Sequence, residues 1–151
     1  MKHYRDETRG TFQNEQEAKQ LISFEGMKYK GRNGVYNVTP TDVDGALEFE
    51  VENCFIFFEL KRYGELPYGQ KKFYMRLVDT LCKGGADSIL FVSQHNADKG
   101  ETIIAKKSVV KQIYWRGKWY DIHDRCTLGK CVCKYLSYLH TGVNMLEECA
   151  S

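Results

Sequence analysis

A mixed α/β fold is expected from three observations on this 151-residue chain. Apolar residues recur at helical spacing over 14–25, 69–83 and 128–139, whereas shorter runs at 41–51, 54–61, 88–93, 109–114 and 118–122 alternate or are continuously apolar. The order of these segments is helix, three strands, helix, strand, followed by a hairpin and a helix, which belongs to the mixed α/β class. The composition, 42% hydrophobic and 13% aromatic with only two prolines, supports one packed domain over 1–151 and excludes collagenous and disordered classes. No run reaches the ~18 apolar residues of a membrane span, and no apolar stretch follows the charged start. A cytoplasmic protein without membrane partners is the expectation.

Each element has its own signal. Asn14 with Glu17 three residues on is an N-cap pattern, and Ala18, Leu21 and Ile22 continue it as an apolar stripe. Gly26, Gly31 and Gly34 then interrupt the chain before a short strand at Val35–Val38. From Thr41 to Val51, Val43, Leu47 and Phe49 alternate with Asp42, Asp44, Ala46, Glu48 and Glu50. The partner strand is Cys54–Lys61. A second helix, Gly69–Lys83, presents Phe73, Leu77, Val78 and Leu81 and closes on Gly84-Gly85. The run Ser88–Ser93 has the continuous apolarity of a central strand, and Arg116-Gly117 is the expected turn of a hairpin between 109–114 and 118–122.

The 41–51 and 54–61 pair suggests chemistry. With Glu52-Asn53 as a two-residue turn, Ala46 faces Glu59 and Asp44 faces Lys61, so Asp44 stands diagonal to Glu59 at ~7–8 Å, a gap that a metal ion can bridge. In Phe57-Phe58-Glu59-Leu60-Lys61, Glu59 and Lys61 share one strand face while Phe58 and Leu60 anchor the other. An isolated acid-x-lysine on a strand is usually a surface ion pair. A second carboxylate delivered to the same place makes a functional cluster the stronger reading.

On these residues the chain resembles the PD-(D/E)XK nuclease superfamily, through Pro40 to Asp44 and the Glu59-Leu60-Lys61 triplet. Gln70-Lys71-Lys72-Phe73-Tyr74 resembles the Q-x-x-x-Y element of its RecB-like branch and the lone glutamine of virus-type replication-repair nucleases. The match covers about 14–93. It implies a restriction-endonuclease-like α-β-β-β-α-β core with a C-terminal hairpin and helix over about 102–141. It also implies a compact nuclease of phage, mobile-element or repair origin, cleaving DNA with Mg²⁺ or Mn²⁺. Asp44, Glu59 and the Leu60 carbonyl would hold the ion, with Asp42 competing for the place of Asp44. Glu15, or Glu17 in its place, would help from the first helix. Lys61 would orient the water or steady the charge on phosphate, and Gln70 would position Lys61 or the phosphate.

The C-terminal part carries a separate signal. Residues 102–140 hold eight lysines and arginines against two acids, a local balance of +6 beside −4 for the rest, as a polyanion-binding region would. Trp115, Arg116 and Lys118 at the hairpin, with Tyr74 on the second helix, are the candidate nucleic-acid contacts, through stacking and phosphate pairing. A Gly turn with cross-strand aromatic packing accounts for the same hairpin equally well. Cys54, Cys82, Cys126, Cys131, Cys133 and Cys149 are expected as free thiols in a chain without an export signal. The spacing of His123, Cys126, Cys131 and Cys133 lacks the paired C-x2-C of zinc modules. The competing function is a nuclease-fold protein without turnover that binds nucleic acid or a protein partner. A homodimer is compatible with both readings.

Overall fold

The elements run β1 (Lys28–Gly31), β2 (Gly34–Asn37), β3 (Gly45–Phe49), β4 (Cys54–Lys61), α1 (Tyr68–Lys83), β5 (Asp87–Gln94), β6 (Val109–Trp115), β7 (Lys118–Asp121) and α2 (Leu128–Thr141), with a 3-10 turn at Ala105–Lys107. This computed structural model describes residues 25–37 and 41–141. Glu15, Glu17 and the helical pattern of residues 14–24 lie outside the described residues. By its contacts the chain divides into two units, 1–40 and 41–151. In the first, β1 and β2 form an antiparallel hairpin, which gives the strand expected at Val35–Val38 a partner.

The second unit is a five-stranded mixed sheet in the order β3-β4-β5-β6-β7, with only β4 and β5 parallel. Two parallel neighbours require a crossover, and α1 supplies it. β5 is the middle strand, and its residues Ser88–Ser93 are all buried, as the continuous apolar run anticipates. Alternation along β4 divides the core between two faces. Phe57 joins Leu66, Tyr74, Val78, Leu90, Val92 and Tyr114 on the α1 side. Cys54 and Ile56 join Ile89, Phe91, Ile113, Trp115, Cys131 and Tyr135 on the α2 side.

Helix ends follow local chemistry. At the C-terminus of α1, Gly85 N–H reaches Cys82 O and Ala86 N–H reaches Leu81 O, the paired closure in which a left-handed residue ends a helix. Gly85 has φ 99°, so glycine suits that position. At the start of α2, Thr127 Oγ1 accepts the Lys130 N–H at 3.4 Å, a side-chain cap. The described cysteines are free thiols. Cys126 and Cys131 are buried with their sulfurs 2.9 Å apart.

The β3–β4 connection differs from the expected two-residue turn. It comprises residues 50–53, with Asn53 at φ 49° and its N–H on Glu50 O. Asn53 Nδ2 also donates to Gly85 O at 3.1 Å. A side-chain amide and tolerance of the left-handed region suit asparagine to that place. The register consequently moves by two: Ala46 pairs with Phe57 and Gly45 with Phe58. Because side chains alternate with period two, the shift preserves every face. It moves Asp44 from diagonal to directly across from Glu59.

Candidate active site

Six residues named from the sequence meet where β4 ends and α1 begins. Asp44 N–H donates to Glu59 Oε2 at 3.1 Å, and Leu60 N–H donates to Asp44 Oδ2 at 2.6 Å. The two chains are thus joined through side-chain oxygens where the ladder stops, which is why β3 begins at Gly45 although the alternating pattern begins at Thr41. Gly45 is part of this fit. A Cβ there would lie 2.0 Å from the Phe58 ring, so only glycine lets that ring cross beneath the residue beside Asp44.

Glu59 is 1% exposed, an unusual position for a carboxylate. Besides the Asp44 N–H, three side chains hold its oxygens. Tyr74 Oη donates to Oε2 at 3.0 Å, and Gln70 Nε2 donates to Oε1. Lys61 Nζ stands 3.5 Å from Oε1. Gln70 and Tyr74 act together because residues four apart on a helix share a face. Burial holds the Glu59 carboxyl above its ordinary value, and the Asp44 charge adds to this against the hydrogen bonds from Asp44 N–H and Tyr74. Desolvation first, and the charge of Glu59 second, raise the Tyr74 phenol, which stays a neutral donor.

Asp42, the competing acid, contributes instead its main-chain carbonyl, which accepts from Gln70 Nε2 at 3.3 Å. Tyr74, expected at the nucleic-acid surface, is fully buried and serves as a clamp on Glu59. The hairpin residues are not brought to this site. Glu59 pairs with Val92, whereas Trp115 pairs with Ile89, three residues or ~10 Å further down β5 at ~3.3 Å per residue. The Trp115 ring is 5% exposed, in the cluster on the opposite face of the sheet, so it offers no platform to an unpaired base. Arg116 binds Asp87 Oδ2 through Nη2 at 2.8 Å and lies over the Trp115 ring at 4.4 Å. Lys118 is exposed, with Nζ 5.2 Å from the centre of the Tyr120 ring.

The donor set suits a hard divalent cation. Two carboxylates of like charge stand across adjacent strands with one lysine near. Among the described residues no group of three or more His, Cys, Asp or Glu comes together for a metal. The candidate ligands among the described residues are therefore two carboxylates, Asp44 and Glu59, and the Leu60 main-chain oxygen. A cleft of about 400 Å³ opens beside Lys61 and reaches β5, β6 and β7. The sequence reasoning did not find it, because it depends on a local irregularity of β6 that no residue pattern announces.

No family model, curated protein or solved structure matches this chain. What the fold defines by itself is an α/β unit with a five-stranded mixed sheet and two helices. Among the described residues no helix is long and apolar enough to cross a membrane.

Proposed function

We propose that the chain is a metal-dependent nuclease of the PD-(D/E)XK type, hydrolysing DNA phosphodiester bonds on a restriction-endonuclease-like core. The observation that carries this reading is the meeting of Asp44 and Glu59 across an antiparallel pair, with Lys61 beside them and Gln70 and Tyr74 on Glu59. Asp44, Glu59 and the Leu60 carbonyl would hold Mg²⁺ or Mn²⁺. When bound, such an ion neutralises charge on the scissile phosphate and lowers the pKa of a bound water.

The protein's part is preorganisation. Tyr74 and Gln70 fix the Glu59 carboxylate before substrate arrives, so its orientation costs nothing during reaction. Asp44 is tethered through Oδ2 by the Leu60 N–H, which fixes the carboxylate that would help hold the ion. Lys61, on the same face as Glu59, supplies a cation to the attacking water or the phosphate oxygens. Its side chain is 30% exposed, within reach of a ligand in the adjoining cleft.

A second reading, a nuclease-fold protein that binds nucleic acid or a protein partner without turnover, draws on Glu59 being buried with both oxygens already hydrogen-bonded. Incubating labelled single-stranded, duplex and branched DNA, with RNA alongside, in Mg²⁺ or Mn²⁺ separates the two. Cleavage of DNA that chelation stops, and that Lys61→Ala removes while Mn²⁺ still binds by calorimetry, is the expected result. Binding without cleavage of any substrate would give the second reading.

A further inference from the structure

The cleft beside Lys61 has the features of a built subsite. It lies beyond the carboxyl ends of β4 and β5, where open α/β sheets take their ligands. Its volume, about 400 Å³, falls within the ~300–1,000 Å³ of small-ligand pockets. Lys61, Ser93, Gln94, Lys111, Gln112 and Asp121 contribute to its wall.

An irregularity between β5 and β6 points to a ligand. Val92 pairs with Gln112 and Ser93 with Val110, which leaves Lys111 as an extra residue in β6. In a regular strand Lys111 and Gln112 would address opposite faces. The bulge allows both to line one cleft, and bulges next to sites commonly redirect a side chain in this way.

The chemistry of the wall is that of a nucleotide site. Lys111 is exposed, and the described residues give its ammonium no carboxylate, so it is available to a phosphate. Gln112 Nε2 donates to Asp121 Oδ1 at 2.9 Å. This fixes the amide with its carbonyl oxygen as an acceptor, a group suited to the donor edge of a base. Gln94 is likewise oriented, with Nε2 on Arg62 O at 3.1 Å.

We infer that this cleft holds the nucleotide flanking the scissile phosphate. Lys111 contacts its phosphate, and Gln112 hydrogen-bonds its base. The inference rests on the nuclease reading for the word scissile, but the binding it describes is measured without cleavage. Deoxynucleoside 5′-monophosphates are titrated into the full chain and followed by amide chemical shifts, with the four bases compared and inorganic phosphate as a control. The wild-type chain should bind at least one monophosphate more tightly than inorganic phosphate. Lys111→Ala should weaken that binding about tenfold, the scale of one charge-assisted hydrogen bond.

Gln112→Leu supplies a readout that a purely structural role would not give: nucleotide affinity should fall several-fold and the preference among the four bases should narrow, while the affinity for inorganic phosphate stays that of the parent. No binding by the wild-type chain, or affinity indifferent to both substitutions, overturns the subsite. Binding with these sensitivities alongside DNA that is never cleaved supports the subsite and overturns the nuclease reading.

Discussion

Two carboxylates organise opposite ends of the same sheet, and their surroundings differ in one respect. Asp87, at the start of β5, accepts Trp115 Nε1–H at 2.8 Å and Tyr135 O–H at 2.6 Å on one oxygen, while Arg116 pairs with the other. Its charge is matched and its donors come from the core. Glu59 is also well hydrogen-bonded, yet the nearest charge across the strands is a second carboxylate, and its one cation stands at 3.5 Å. The first arrangement is complete within the described residues. The second carries surplus negative charge that folding does not require, and the proposed function rests on that surplus.

The sharpest way to break this comparison is to remove the surplus. Glu59→Gln and Asp44→Asn are each expected to lower metal-dependent cleavage by about 10²–10³-fold or more, the scale of losing a main electrostatic group in a transition state. Melting temperatures should hold or rise, since one of two repelling charges is gone. Wild-type cleavage in both variants would sink the assignment. At the other end the pattern reverses. Asp87→Ala leaves Trp115 Nε1, Tyr135 O–H and Arg116 without their acceptor and should cost about 2–4 kcal/mol in denaturant unfolding. Cleavage per folded molecule should be unaffected.

Gly45→Ala tests how closely the functional end is fitted. A methyl group 2.0 Å from the Phe58 ring forces that ring aside, at about 1–3 kcal/mol for overpacking. Because Gly45 adjoins Asp44, cleavage should fall more than the stability loss alone would cause. A variant as stable and as active as the parent would show that the ring has room to move.

The smallest effect is a pH dependence. Since Glu59 is held above its ordinary value near 4.5 by burial and then by Asp44, the folded chain binds that proton more tightly than the unfolded chain. Its contribution to stability is therefore present in full below the ordinary value and is lost as pH rises through the raised value. Melting temperatures measured without divalent cations should show this decline in the parent and lack it in Glu59→Gln. Parallel profiles would mean that the carboxyl is not perturbed.

Much of the functional end was legible in the sequence, and the reason is periodicity. The alternation in Phe57-Phe58-Glu59-Leu60-Lys61 assigns faces without any knowledge of the turn, and the four-residue spacing of Gln70 and Tyr74 assigns them one helical face. The turn itself is not legible there, because the left-handed conformation of Asn53 is tied to its bond with Gly85 O, a tertiary matter. The difference moves the register by two and leaves the faces intact. At the hairpin, Trp115, Arg116 and Lys118 have equal claims as an exposed aromatic and basic tip or as core packing. The fate of Trp115 and Arg116 depends on Asp87, Tyr135 and Tyr138, which no local pattern connects to them. The Lys111 bulge is a further case, invisible because it concerns how two strands disagree in length.

The two ends also differ in how far apart along the chain their partners lie. Glu59 reaches Asp44 across 15 residues, Gln70 across 11 and Tyr74 across 15. Asp87 must wait for Trp115, 28 residues on, and Tyr135, 48 on. By loop-closure entropy alone, the 48-residue contact is about 1 kcal/mol harder to close than a 15-residue one. As the chain leaves the ribosome, the carboxylate pair and its helix can come together while the residues that complete the Asp87 cluster are still unmade. Interactions absent from a folding transition state act on how slowly a protein unfolds. The end proposed to carry the chemistry is thus the one whose partners are made first, and a slower unfolding rate in the parent than in Asp87→Ala would place the late end among those interactions.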